Sequence, residues 1–294
     1  MKFLISNYST STQSECMYIN TALNLLSTCK STIWNEKTIS AYDIFDLTSP
    51  DFYVTHVSNI DKQAMEYIKN SKTIELILNI TGAGQDNLNI LEEELESANI
   101  KCAFLFHNSN DHGLVSKKNR IVSIGYGADI FLRNNFPKYK LENAIFVGQQ
   151  SEVKPLGETY HTVSTNPKLK DIVDIYMPIT QLSNIYDKYD NCIIRYFGKL
   201  IPQLFYDAVY YGNKVYYNLD NADAKNTAVQ KINKLLRLDI DITDPDTVNQ
   251  KAIKDSVKNK HTCLHRVKSL LSQLPCKDSI ANIDNIIDIY IKKD

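Results

Sequence analysis

The sequence predicts an α/β protein with two Rossmann-like halves and a helical C-terminal tail. Three observations carry this expectation. Short apolar runs alternate with amphipathic stretches, and several runs are apolar on both faces, as in Leu76-Ile77-Leu78 and Phe104-Leu105-Phe106. From residue 224 onward only helical patterns follow. Strands buried on both faces and separated by helix-length segments mark a parallel, doubly wound sheet. At 294 residues the chain also has the length of two domains.

In chain order, strands are expected over 2–6, 52–57, 74–80, 102–106 and 120–124, with helices over 15–26, 62–69 and 87–97 between them. A second series opens with a strand over 144–148 and continues with a helical stretch over 179–189 and a strand over 192–195. A helix over 202–211 and a strand over 214–219 complete it. Helices are expected over 224–238, 248–258, 262–274 and 279–292, with a turn-rich break at Asp244-Pro245. The charged, Pro-containing stretch 133–142 reads as a linker, which divides the chain into domains 1–140 and 141–260 and a tail 261–294. Parallel sheets hold ligands beyond the carboxyl ends of their strands. The loops after Ser6, Val57, Ile80 and Phe106 are therefore the informative ones in the first half.

Composition excludes several classes. Lys+Arg 33 against Asp+Glu 34 leaves a net charge of -1, so the chain is no uniformly basic nucleic-acid binder, and any polyanion contact must be local. With 43% hydrophobic residues it is no disordered chain. The 28 Asn and 18 Tyr are the excess an A+T-rich coding sequence produces. Six dispersed cysteines without a C-x-x-C pair read as reduced, packed thiols. The apolar start stops at Ser6-Asn7, and no run approaches the ~18 apolar residues of a membrane span. The expectation is a soluble, cytoplasmic protein.

The segment from Ile194 to Val215 carries the most chemistry. A strand ends at Arg195, a loop holds Gly198 and Lys199, Pro202 sits where a first helical turn accepts proline, and Gly212-Asn213 closes the helix. Free N–H groups at that helix start, with Arg195 and Lys199 beside them, suit a diphosphate. Asp207 lies about one turn further in, on a face able to reach a ribose. The simpler alternative is an amphipathic helix capped by glycine.

Pro202, Phe205, Asp207, Ala208 and Gly212 resemble the region of GT-B glycosyltransferases that carries a basic/Pro-x-[RK]-x-[FY]-[ED]-A-x-x-x-G pattern. The resemblance implies a nucleotide-sugar donor, with UDP the guessed nucleotide, as co-substrate rather than a permanently bound cofactor. It places Asp207 where the family usually has a ribose-bonding Glu, and Gln203 where a basic residue is common. Both are departures. Three further stretches resemble the family: the 144–148 strand followed by Gln149-Gln150-Ser151, Gly127-Ala128-Asp129 at the close of the first domain, and the helix from Thr262 as in spore-maturation-type members. The donor set so implied is Gly148, Gln149, Arg195, Lys199, Pro202, Gln203 and Asp207, with the ligands between the two halves.

The acceptor side falls to the first half. His107-Asn108-Ser109-Asn110-Asp111-His112 follows a strand and precedes Lys117, Lys118 and Arg120. A carboxylate or imidazole there is placed to take a proton from an acceptor hydroxyl. The loop looks similar to that of T-even phage DNA glucosyltransferases, which makes Asp111, then His107 and His112, the expected catalytic residues. A loop that only caps the next element is the alternative. Asn7, Tyr8, Ser9, Lys117 and Lys118 are expected on the acceptor side. The acceptor itself stays open between a hydroxylated base in phage DNA, a surface polysaccharide and a protein, and a non-catalytic nucleotide-sugar binder is the rival class.

Other patterns carry less. Gly82 and Gly84 lack the third glycine of a dinucleotide fingerprint, and Asp86 follows them. His261 and His265 are spaced to share one helix face, but no second cluster completes a ligand set, so no metal is expected. The basic residues from Lys251 to Lys268 and the acidic run from Glu92 to Glu96 both read as solvated helix faces.

Overall fold

The computed structural model describes residues 1–7, 14–80, 83–106, 115–116, 119–124, 127–131, 141–147, 160–164, 167–177, 185–186, 188–194, 203–217, 250–275 and 277–292. The chain forms two compact units: Met1–Gly125 together with Cys263–Asp294, and Tyr126–Thr262. Each is built on a parallel sheet.

The first unit holds β1 (Lys2–Ser6), β2 (Lys30–Trp34), β3 (Phe52–His56), β4 (Glu75–Asn79), β5 (Cys102–Phe106) and β6 (Arg120–Ser123). Their spatial order is β2-β1-β3-β4-β5-β6, all parallel. Helices α1 (Ser14–Asn24), α2 (Ala41–Thr48), α3 (Lys62–Ser71) and α4 (Gln85–Ser97) lie between the strands in sequence. Every residue of β3 and β4 is buried, as expected of strands covered on both faces. Leu4, Trp34, Phe45, Tyr53, Leu76, Leu78 and Phe104 form one cluster with the apolar faces of α2, α3 and α4. Capping fixes the helix starts. Asp43 N–H donates to Ser40 Oγ at 3.2 Å and Ala64 N–H donates to Asp61 Oδ1 at 2.8 Å.

The expected strands and helices of this half appear within a few residues of their anticipated bounds, and two elements are new: β2 and α2. Glu92 also departs from expectation, since it is buried at 5% exposure rather than solvated. Ser116 Oγ donates to its Oε1, and Asn119 Nδ2 donates to the same oxygen at 3.3 Å. Arg120 opens β6 at the amino ends of the strands. There it is ion-paired with Glu75 at 2.8 Å, on the edge opposite the ligand-binding one.

The second unit holds β7 (Leu141–Val147), β8 (Tyr160–Ser164), β9 (Ile175–Tyr176), β10 (Tyr189–Ile194) and β11 (Lys214–Tyr217), in the parallel order β11-β10-β7-β8-β9. Chain order runs outward from β7 through β8 to β9, then returns to the other side of β7 for β10 and β11. That is the doubly wound arrangement the sequence predicts. Helix α5 (Gln203–Tyr210) joins β10 to β11, and α6 (Gln250–Lys260) packs on α5. Helix α5 ends where expected: Gly212 has φ 85, and Asn213 N–H returns to Ala208 O at 2.9 Å. Leu141 and Glu142 belong to β7 rather than to a linker, and Tyr189 opens β10 rather than closing a helix.

Helices α7 (Cys263–Ser272) and α8 (Lys277–Lys292) return to the first unit, α7 against α1 and α8 against α7. The two units therefore meet in sequence at 125/126 and 262/263, a different division from domains 1–140 and 141–260 with a tail 261–294. Ala128 pairs with Thr262, and Ala128 N–H donates to His261 O at 2.8 Å, so the segments beside the two crossings run together. Gly127 is required there, because a Cβ would lie 2.8 Å from Thr262 O and 2.9 Å from His261 O.

Candidate functional site

The first sheet reverses direction between β1 and β3: β2 lies to one side of β1, and β3 to β6 lie to the other. In parallel α/β sheets the crevice beyond the strand ends at such a reversal is the ligand-binding position, and the order 2-1-3-4-5 places it between the first and third strands. Here that position is occupied by polar side chains bonded to each other. Ser6, the last residue of β1, is fully buried, and its Oγ donates to Glu36 Oε1 at 2.7 Å. Asn59, just beyond β3, donates from Nδ2 to Glu36 Oε1 at 2.8 Å and to Ser6 Oγ at 3.2 Å.

The local sequence explains why Glu36 stands there. It sits in the turn that follows β2. Asn35 organises that turn by accepting from Lys37 N–H at 3.1 Å on its side chain and from Thr38 N–H at 3.0 Å on its carbonyl. Trp34 is buried to 1% exposure and donates from Nε1 to Ile39 O at 2.9 Å, closing the turn from below. Asn7 N–H donates to Trp34 O at 2.8 Å, extending the β1–β2 pairing past the last strand residues. Asn59 is fixed in turn by Thr55 Oγ1, which donates to its carbonyl at 3.2 Å.

His56 closes β3 at 8% exposure. Its Nδ1 accepts from Ser58 N–H at 3.1 Å and contacts Ser58 Oγ at 2.7 Å. Both contacts suit an unprotonated Nδ1, so the neutral ring carries its proton on Nε2. Asn79, at 1% exposure, occupies the equivalent end of β4. Sequence reading placed the loop at 57–59 on the rim, but it missed Glu36 because β2 was not foreseen.

The second sheet reverses between β7 and β10. The chain leaves those two strands at Val147 and Ile194, so the segments beginning with Gly148 and Arg195 depart from the two strands that flank the reversal. Helix α5 then begins at Gln203, with Phe205, Asp207 and Ala208 buried. Asp207 faces the interior at 6% exposure, and its Oδ1 accepts from Asp129 N–H at 2.8 Å. Tyr211 OH donates to Asp129 O at 3.0 Å, and Asp129 Oδ1 accepts from Phe131 N–H at 3.1 Å. Burial pushes the Asp129 carboxyl up to about 7, against the Phe131 hydrogen bond, which lowers it. Tyr206 stacks on His261 at 5.9 Å between ring centroids. Helix α5 is thus tied to the crossing segment by several contacts.

Of the expected site residues, His107, Asp111, His112, Lys117, Lys118, Tyr8, Ser9, Gly148, Gln149, Arg195, Lys199 and Pro202 lie outside the described residues. Asn7, Gln203 and Asp207 lie within them, and Asp207 is turned into the fold. His261 lies between α6 and α7, so it does not share a helix face with His265. Among the described residues no group of His, Cys, Asp and Glu forms a metal-binding cluster, and no helix is long and apolar enough to cross a membrane.

No protein-family model matches the chain, and no curated protein matches it in sequence. Three solved structures that it resembles only distantly are the following. S. aureus MnaA in complex with UDP is 11% identical, with a TM-score of 0.42 over 94% of this chain and 98% of that one. The UDP-GlcNAc 2-epimerase from Neisseria meningitidis bound to UDP-GlcNAc is 10% identical, with a TM-score of 0.41 over 100% of both. A calicheamicin glycosyltransferase is 8% identical, with a TM-score of 0.39 over 99% of this chain and 98% of that one. The sheet orders of the chain itself make it an α/β protein of two Rossmann-like parallel sheets with helices at its C-terminal end.

Proposed function

We propose that the protein is a GT-B-type glycosyltransferase that moves a sugar from a nucleotide-diphosphate donor, UDP-linked in the first instance, to a hydroxyl acceptor. One observation carries the reading. The two stretches with the resemblance to donor-binding loops leave the sheet at β7 and β10, the strands flanking the reversal of the second sheet. In this reading Arg195 and Lys199 neutralise the diphosphate, with backbone N–H groups at the start of α5 adding donors. Gly148 and Gln149 line the phosphates from the β7 side. Asp207, at 6% exposure and bonded to Asp129 N–H, contributes in this reading by holding Asp129 in place.

The test is calorimetric titration with UDP, UDP-glucose and UDP-GlcNAc, followed by UDP release in the presence of the donor that binds. The expected result is saturable binding that Lys199→Ala or Arg195→Ala weakens about tenfold or more, as loss of a charge-assisted phosphate contact requires. No binding by the folded wild type overturns the reading. Binding without UDP release selects the rival, a non-catalytic nucleotide-sugar binder, which Gln203 in a usually basic position favours.

For the acceptor, a hydroxylated base in DNA is the reading that exposed Lys251, Lys254 and Lys260 on α6 support. Lys268 adds nothing to that row, being ion-paired with Asp284 at 2.5 Å. Titration with duplex DNA at 50 and 200 mM salt decides. Salt-sensitive binding supports the nucleic-acid acceptor, and its absence assigns the acceptor to a polysaccharide or a protein.

A further inference from the structure

We propose that Glu36 is the carboxylate that takes the proton from the acceptor hydroxyl, with Ser6 and Asn59 as its positioning residues. The assignment rests on the glycosyltransferase reading above and deepens it. Its ground is the arrangement at the carboxyl ends of β1, β2 and β3.

Three features set this carboxylate apart from an ordinary surface glutamate. It stands beyond the strand ends at the β1/β3 reversal, where this sheet order opens its crevice. Its Oε1 is held by two neutral donors, Ser6 Oγ at 2.7 Å and Asn59 Nδ2 at 2.8 Å. Its Oε2 has no hydrogen-bond partner among the described residues. No cation is paired with it there either. A carboxylate fixed through one oxygen, with the other left for a ligand, is built to accept a proton from a hydroxyl in a defined direction.

The reaction balances without a further co-reactant. The acceptor oxygen forms its bond to the anomeric carbon as its proton passes to Glu36 Oε2. The bond from that carbon to the diphosphate oxygen breaks, and the nucleoside diphosphate leaves with the electron pair. Water in place of the acceptor uses the same carboxylate and yields free sugar.

The experiment measures UDP binding and UDP release from UDP-glucose or UDP-GlcNAc for the full chain and for Glu36→Gln, Glu36→Ala and Asp111→Asn. The expected result for Glu36→Gln is unchanged UDP affinity and melting temperature, kcat lowered at least 50-fold, and loss of the acidic limb of the pH–rate profile. Added formate restores part of the rate to Glu36→Ala, a rescue that a merely structural glutamate would not give. Wild-type turnover with Glu36→Gln within twofold of it, and the acid limb intact, overturns the assignment. A large loss in Asp111→Asn alone transfers the role to that residue and also overturns it. A folded wild type that neither binds UDP nor releases it overturns the underlying glycosyltransferase reading instead, so the two failures are distinguishable.

Discussion

In the first unit Glu75 is buried against two cations, Lys101 at 3.0 Å and Arg120 at 2.8 Å, whereas in the second unit Asp129 is buried with a backbone N–H on its carboxylate and no cation among the described residues. Both side chains are nearly inaccessible, at 6% and 2% exposure. A buried charge is costly unless it is paired, and an unpaired one shifts toward its neutral form. The first unit therefore sets its carboxylate between two cations at the amino ends of three neighbouring strands. In the second unit an acidic residue has become a weak acid at the segment where the chain crosses. The contrast separates charge used to bind strands together from polarity used to fold a connection back on itself.

The largest consequence is a pH dependence. The Asp129 carboxyl is raised from 3.8 to about 7 by burial, so the folded protein holds a proton that the unfolded chain has lost between those values. Stability then falls as pH rises through that window, by about 1.4 kcal/mol per unit, and the loss is complete above pH 7. Asp129→Asn retains an acceptor for Phe131 N–H and removes the titration. Urea unfolding at pH 4 and pH 8 should show the variant gaining on wild type at the higher pH by about 4 kcal/mol. Equal pH dependence in both proteins would break the comparison.

Next in size is the close approach at the crossing. Gly127→Ala places a methyl against the Thr262 and His261 carbonyls, both backbone atoms that cannot rotate away. The expected loss is about 3 kcal/mol, the upper end of overpacking costs, read as a lower denaturation midpoint. Asp207→Ala strands the buried Asp129 N–H and should cost about 2 kcal/mol, while Asp207→Asn keeps an acceptor and stays near wild type. UDP affinity unchanged in Asp207→Asn supports an internal role for this side chain. A drop of tenfold or more at preserved stability would return it to the ribose.

These residues also show how far sequence reaches. The two-face apolar runs of β4 and β5 and the Gly212 helix stop are local patterns, and they appear where the patterns place them. Strand β2 is Lys-Ser-Thr-Ile-Trp, an edge strand whose polar residues hide its periodicity. Missing it concealed Glu36, although Ser40 and Asp43 announce the helix that follows with a hydroxyl cap and an acid three residues on. Strands β8 and β9 are polar or only two residues long, and went unseen for the same reason. Gly127-Ala128-Asp129 is legible as a motif, but its purpose is not. That the glycine admits Thr262 and the aspartate bonds Phe131 depends on contacts 135 residues apart in the first case and two in the second. The inward turn of Asp207 is likewise tertiary: one helical face can look toward a ligand or toward Asp129, and spacing alone gives both.

The smallest expected effect lies on the other side of the comparison. Glu75→Gln leaves a hydrogen-bond acceptor for Arg120 but removes the charge shared with Lys101, whose side chain is 77% exposed. An ion pair that reaches solvent on its cationic side is screened, so the loss should be about 1 kcal/mol and should shrink further in 0.5 M salt. Glu75→Leu separates the two contributions, since it also leaves Arg120 without the oxygen it bonds at 2.8 Å. If pairing is what makes burial of this carboxylate tolerable, Glu75→Leu in a background of Lys101→Met and Arg120→Met should recover most of the single-variant loss, because no charge is then left facing an apolar wall. Failure to recover would mean that Glu75 holds the strand ends through shape rather than charge, and the contrast with Asp129 would lose its first half.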